Sequence, residues 1–297
     1  MIHNPVLSKE IVEALDPKPG QHFIDCTVGQ GGHARLLLEK TAPQGKILGI
    51  DWDKRQIENC KNILNDVGNR LILINDSYSN LEAIVKRIGF SEISGILIDL
   101  GYSSWHLEDS GRGFTFQKNE NLDMRYDQIQ NSLSAEVVIN EWSEKELAKI
   151  FLQYGEERFA KKIAKKIAEQ RKAQRIKTTF ELAEVVKEAV PSFYWRGKIH
   201  YATKTFQALR IAVNGELENV EKVLPQAFSL LKSKGKLAVI SFHSLEDRIV
   251  KNIFRDFQSQ HLANVMYKKP IVANQEELRH NPRARSAKLR VLIKKST

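Results

Sequence analysis

Residues 25 to 33 read Asp25-Cys26-Thr27-Val28-Gly29-Gln30-Gly31-Gly32-His33, a carboxylate and three glycines set where a short apolar run, His22-Phe23-Ile24, gives way to a helical stripe of Ala34, Leu36, Leu37 and Leu38. Glycines at a strand-to-helix turn let backbone N–H groups approach a ligand that a Cβ would hold off. A second apolar run, Lys46-Ile47-Leu48-Gly49-Ile50, ends in Asp51. That is where a doubly wound sheet keeps the acid that takes the hydroxyls of a ribose. The spacing Gly29-x-Gly31-x-x-Ala34 satisfies the dinucleotide pattern G-x-G-x-x-G/A, so NAD stays open as a ligand. Asp25 points elsewhere, because a carboxylate at the strand end repels a diphosphate. S-adenosylmethionine has no phosphate and carries a sulfonium and an ammonium, for which acids around the loop are favourable partners. A simple turn cap accounts for Asp25 as well.

A further apolar run, Gly95-Ile96-Leu97-Ile98, closes on Asp99 and continues into Leu100-Gly101-Tyr102-Ser103-Ser104. This puts Asp99 in the same crevice as Asp51 and the glycine loop, where a reacting group belongs. A methyl group leaving a sulfonium needs a nucleophile held in line and close. An exocyclic base amine is a poor nucleophile because its lone pair is delocalised into the ring. Acceptors aimed at its N–H bonds localise that pair and take the released proton. Asp99, the carbonyls beside Gly101 and the hydroxyl of Ser103 or Ser104 are the candidates; turn formation accounts equally for the two serines. The block Ser241-Phe242-His243-Ser244-Leu245-Glu246-Asp247-Arg248 invites a histidine base, but Ser244-x-x-Asp247 is a helix-start pattern and a capping or packed His243 is the better reading. The eight histidines share no ligand spacing with acids or cysteines, so no metal is expected.

The elements that position these residues alternate from residue 6 to about 103, with a further strand at 70–74. Their near-continuous apolar runs predict a parallel sheet covered on both faces. Between 104 and 200 no buried strand stands out, and Ile150, Phe151, Phe159, Ile163, Ile167, Leu182 and Val186 recur at helical intervals. Alternation then resumes: an amphipathic stretch at 205–231, a strand at 237–240, a helix at 245–257, and a last strand at 289–293. A strand near 264–267 is the least marked. The expected architecture is α/β, a doubly wound Rossmann-like sheet in two parts, 1–103 and 201–297, with an all-helical insertion over 104–200.

The chain has 297 residues, a formal charge of +10 and only Cys26 and Cys60 as cysteines. The length allows two domains, the charge fits a polyanionic partner, and the cysteine usage fits a reducing compartment. No apolar run approaches a membrane span and Met1-Ile2-His3-Asn4-Pro5 lacks the features of a signal peptide, so a soluble cytoplasmic protein is expected. Lys161, Lys162, Lys165, Lys166, Arg171, Lys172, Arg175 and Lys177 crowd one helical region. A solvated face and a phosphate-binding face are equally good readings of it. The stretch from Arg279 to Arg290 contains no acid, and Arg283, Arg285 and Lys288 within it are candidate RNA contacts. Phe114, Phe116, Tyr126, Tyr194 and Trp195 are able to stack on bases, although core packing explains most such residues.

Several segments in order resemble the bacterial-type ribosomal small-subunit RNA (cytosine-N4)-methyltransferase family: His3-Asn4-Pro5-Val6-Leu7, the Asp25 to His33 loop, Gly95 to Gly101, Arg112-Gly113-Phe114-Thr115-Phe116, Leu122-Asp123-Met124-Arg125, Tyr154-Gly155-Glu156-Glu157-Arg158, Thr205-Phe206-Gln207-Ala208-Leu209-Arg210, the Ser241 to Arg248 block, and Asn281-Pro282-Arg283-Ala284-Arg285-Ser286. The resemblance implies a class I S-adenosylmethionine-dependent methyltransferase with an inserted helical domain. It implies methylation of N4 of a cytidine in the decoding region of 16S rRNA, with the small ribosomal subunit as the setting. Carried over by position, the cofactor contacts are Gly31, Gly32, His33, Asp51, Tyr78, Asp99 and His106. The chain departs from the family pattern at Tyr78, usually Phe; at Gln30, usually Arg; at Trp105-His106, usually Pro-Gln; and at Tyr201, usually Pro. The rival readings are an NAD-dependent oxidoreductase and a nucleic-acid-binding protein that keeps a cofactor fold without turnover. A homodimer is compatible with the sequence, which contains nothing that requires one.

Overall fold

The computed structural model describes residues 5–296, without the side chain of Ser104, and divides into two compact units, one formed by Met1–Gly101 with Leu217–Thr297 and the other by Tyr102–Glu216. His3 and Asn4 therefore lie outside the described residues.

The first unit is built on seven strands: β1 (His22–Asp25), β2 (Ile47–Asp51), β3 (Leu71–Asn75), β4 (Ile93–Asp99), β5 (Lys236–Ser241), β6 (Ala263–Val265) and β7 (Lys288–Lys294). Their order is β3-β2-β1-β4-β5-β7-β6. Strands β1 to β5 run parallel, whereas β7 is antiparallel to both β5 and β6. Side chains alternate between faces, so Phe23 and Leu97 pack with the helices Ser8–Leu15 and Gly32–Thr41. Ile24, Ile96 and Ile98 pack on the other face with Leu81–Ile88 and Ser244–Ser259. Both faces being covered, the strands must be apolar throughout. Each Leu, Ile or Val so buried stabilises the unit by about 1.5–3 kcal/mol.

The chain winds outward from β1 in one direction through β2 and β3, then returns to β4 on the other side. This reversal opens a crevice at the carboxyl ends of β1 and β4, the position at which doubly wound sheets hold ligands. The dinucleotide-binding order 3-2-1-4-5-6 is all parallel, so the antiparallel β7 between β5 and β6 separates this sheet from that scaffold. Sequence reading foresees the last strand without its direction.

The second unit is helical, and its one β element among the described residues is an isolated bridge between Asn121 and Thr178. Helices Ala135–Glu141, Glu144–Gln153, Ala160–Ala173, Thr179–Ala189 and Thr203–Asn214 enclose a core that includes Phe151, Ile163, Ile167, Leu182 and Leu209. Capping boxes at Ser143/Glu146 and Thr178/Glu181 begin two of them. The stretch 205–231, one amphipathic segment by its sequence, breaks at Gly215, which ends Thr203–Asn214 in the left-handed region at φ 58°. Phe206, Ala208, Leu209 and Val213 pack in the helical core. For that reason the unit extends to Glu216, whereas the sequence pattern changes at 200. Among the described residues no helix is long and apolar enough to cross a membrane.

Candidate active site

β1 delivers the glycine loop, and β2 holds it in place. Asp51 at the end of β2 accepts the Gly29 N–H at Oδ2 and the Asp53 N–H at Oδ1, both at 2.9 Å. Val28 N–H adds a backbone bond to Ile50 O at 2.8 Å. Each carboxylate oxygen keeps a second lone pair for an incoming hydroxyl. Burial pushes the Asp51 carboxyl up to about 7 against the two N–H groups that favour its ionised form. Gly29 and Gly31 both lie at positive φ, 50° and 86°. They differ in surroundings. A Cβ on Gly31 would lie 2.5 Å from Leu64 Cδ1 and 2.9 Å from Cys60 Sγ, while one on Gly29 meets nothing closer than 3.9 Å. Gly31 is thus demanded by packing against the helix Lys54–Ile63 and its C-terminal cap Leu64, and only Gly29 leaves open space. Gly32 faces Pro5, at 3.3 Å from where its Cβ would be.

At the ends of β1 and β4 stand Asp25 and Asp99. Asp25 is buried, accepts the Thr27 N–H at 3.1 Å through Oδ1, and has no hydrogen-bond partner at Oδ2. Burial pushes its carboxyl up to about 6. Thr27 also joins the loop to β4, its Oγ1 accepting the Asp99 N–H at 2.7 Å. His33, in the first turn of Gly32–Thr41, is buried with Nε2 3.5 Å from Asp99 Oδ2, while Asp99 Oδ1 is buried without a partner. Tyr78 sits in the turn after β3, half-buried against the core. The start of that turn is tied to β2 by Asp76 N–H to Asp51 O at 3.1 Å.

This donor set fits S-adenosylmethionine. Three carboxylates end β1, β2 and β4, two of them present buried oxygens without partners, and the loop from Asp25 to His33 contains no Lys or Arg. Such a set favours a cationic ligand over a diphosphate. The first N–H groups of the helix Gly32–Thr41 are the natural complement of a carboxylate.

The remaining predicted residues have other surroundings. Ser103 and His106 belong to the helical unit and cap the short helix Ser104–Glu108, with Ser103 N–H 3.1 Å and Ser103 Oγ 2.9 Å from His106 Nδ1. The His106 ring is buried edge-on against Phe114 and Tyr126. Trp105, beside it, carries the Arg112 guanidinium 5.1 Å from its ring. The Ser104 side chain lies outside the described atoms. His243 is a helix cap, with Nδ1 accepting the Glu246 N–H at 3.4 Å and Glu246 Oε2 accepting Phe242 and His243 N–H. The cap falls one residue ahead of the Ser244-x-x-Asp247 pattern. In the basic tail Arg285 is exposed and Arg283 half-buried, while Lys288 Nζ lies 3.4 Å from Asp247 Oδ2, a carboxylate shared with Arg290.

Two relationships escape sequence reasoning. Thr27 lies inside the recognised loop, but its bond to Asp99 depends on neighbouring strands. Glu277, which accepts the Leu7 N–H at 2.7 Å and adds to the negative field on His33, lies 270 residues from Leu7 and carries no local signal.

A family model described as the MraW methylase family matches residues 1–295. Ribosomal RNA small subunit methyltransferase H of Thermosipho melanesiensis is 47% identical over 291 residues, covering 97% of this chain and 96% of that protein. The protein of the same name from Persephonella marina is 46% identical over 289 residues, covering 97% and 98%. A crystal structure from Clostridium thermocellum, named provisionally as an rRNA-methylase, aligns with a TM-score of 0.50 at 13% identity over 100% of this chain and 99% of that one. This likeness shows the fold, a class I Rossmann-like methyltransferase sheet. With its motifs in order and the family matched along nearly its whole length, the chain belongs to the MraW methylase family.

Proposed function

We propose that this enzyme transfers a methyl group from S-adenosylmethionine to the exocyclic N4 amine of a cytidine in the decoding region of 16S rRNA, acting within the small ribosomal subunit. One observation carries the reading: Asp25, Asp51 and Asp99 end three parallel strands around a glycine loop without Lys or Arg, with buried carboxylate oxygens left over at Asp25 and Asp99. A phosphate-bearing coenzyme would meet three acids there.

Bound S-adenosylmethionine supplies an electrophilic methyl group on a cationic sulfur. Asp51 accepts ribose hydroxyls with the lone pairs not used by Gly29 and Asp53. Gly31, Gly32 and His33 present the first turn of the helix to the amino-acid end, and Tyr78 offers an aromatic edge to the adenine side. Asp25 and Asp99 favour the positive charges. Asp99 Oδ1 accepts an N–H of the attacking amine, keeping its lone pair on nitrogen, and holds the proton that leaves after transfer. Ser103 serves as a positioning residue through its cap with His106, and Ser104 stands as the second hydroxyl candidate beside it. Arg283 and Arg285 contact RNA phosphates, with Lys288 contributing less because Asp247 already engages it.

The test is mass-spectrometric mapping of nucleosides after incubation of unmethylated 30S particles with the enzyme and labelled cofactor. Label at N4 of a decoding-region cytidine is expected. Label at another atom, or a thermal shift with NAD and none with S-adenosylmethionine, overturns the reading.

A further inference from the structure

Outside the crevice, the helical unit carries aromatic side chains that its own core does not use. Phe193 is 61% exposed and Trp195 44%, both in the short helix Ser192–Trp195. They are held in place nonetheless. Tyr194 between them donates its hydroxyl to Glu157 Oε2 at 2.7 Å, and Glu157 is fully buried. Trp195 Nε1 donates to Lys187 O at 3.1 Å. The Arg158 guanidinium lies 4.7 Å from the Phe159 ring, 4.9 Å from Tyr194 and 5.2 Å from Phe193. Phe159 continues the cluster into an open, largely apolar groove of about 790 Å³ whose lining includes Lys145, Lys149, Arg158, Lys161 and Lys162 beside the acids Glu144 and Glu157. Among the described residues none of these five cations is within ion-pair distance of a carboxylate. The chain from 189 to 215 contains no acid at all.

We infer that Phe193, Trp195 and the cations lining the adjoining groove form a stacking platform for single-stranded RNA, with bases on the two exposed rings and phosphates over Arg158, Lys161 and Lys162. This rests on the proposed RNA substrate and assigns to it a second contact surface. Rigid exposed rings beside unpaired cations are what single strands bind, since every base has a π-face and every linkage a charge. A protein-docking patch of the same size would be depleted of lysine. The sequence marks Trp195 and the lysines of Ala160–Ala173 as candidates, but only the fold shows that Phe193 is exposed and that Arg158 joins the two sets.

Binding of a labelled single-stranded RNA with the decoding-region sequence, and of the same sequence as a duplex, is measured for wild type, Phe193→Ala, Phe193→Trp, Trp195→Ala and Lys161→Gln/Lys162→Gln. Removing either ring is expected to weaken single-strand binding about tenfold and to leave duplex binding unchanged, with Phe193→Trp restoring it. The double lysine variant is expected to flatten the log–log salt slope by about 1.4. RNA is expected to quench Trp195 fluorescence. In methylation assays KM for RNA rises while kcat and the affinity for S-adenosylmethionine hold. Wild-type affinity and slope in all variants overturn the platform, as does loss of a self-associated species with RNA binding intact, which assigns the patch to a second copy. If the variants lose RNA but the wild type methylates none, the platform stands and the methyl-transfer reading falls.

Discussion

His33 Nε2 lies 3.5 Å from Asp99 Oδ2 at the floor of the crevice, a buried imidazole held against the carboxylate that ends β4. Burial opposes a charge on this ring, but Asp99, Asp25 and Glu277 outweigh it and raise His33 above the ordinary histidine value. A raised histidine stabilises the fold in full below its unfolded value, and that contribution is lost as the pH climbs through the raised one. Asp25 acts in the opposite sense, costing stability as the pH rises from the ordinary aspartate range through about 6. We expect the stability difference between wild type and His33→Ala to shrink as the pH rises past neutrality. Urea unfolding across a pH series checks this, and a constant difference contradicts it.

Asp51, pushed up to about 7 by burial and by the charges of Asp53 and Asp25, is partly protonated near neutrality. A bound cation and ribose hydroxyls favour its ionised form, so S-adenosylmethionine binding near pH 7 should release protons. Titration calorimetry in buffers of different ionisation enthalpy reads this directly. Asp51→Asn should abolish the buffer dependence and weaken affinity roughly 10- to 100-fold, the equivalent of a charge-assisted hydrogen bond of about 1.5–3 kcal/mol.

The loop glycines should separate by effect. Gly31→Ala meets Leu64 and Cys60 as well as an unfavourable φ, and is expected to destabilise the fold by about 2–5 kcal/mol. Gly29→Ala carries only the backbone cost of about 1–2 kcal/mol. Thermal melting ranks them, and equal losses would mean that the helix beneath Gly31 yields.

In the helical unit Arg210 pairs with Glu216 at 2.8 and 3.0 Å, both largely buried, and the Tyr126 hydroxyl donates to the same carboxylate at 3.1 Å. Removing one partner strands the other charge, so Arg210→Ala should cost about 3–5 kcal/mol in urea unfolding. The pair Arg210→Met with Glu216→Leu should recover most of it. A double variant as unstable as Arg210→Ala would show that the pair is worth more than its packing.

The sequence by itself determined the strands, the glycine turn and the acids that end β1, β2 and β4, because apolar runs and turn residues are local signals that act over a few neighbours. Tertiary structure decided what depends on distant partners. The direction of β7 follows from its pairing with β5. The extension of the helical unit to Glu216 follows from how Phe206 and Leu209 pack. His33 meets a carboxylate and His106 caps a helix, two fates that their sequence settings do not announce, whereas the cap at His243 is legible in the helix-start pattern beside it. Burial and charge fields are properties of the folded neighbourhood, so exposed Phe193 and buried Glu157 become distinguishable only once the chain has closed around them.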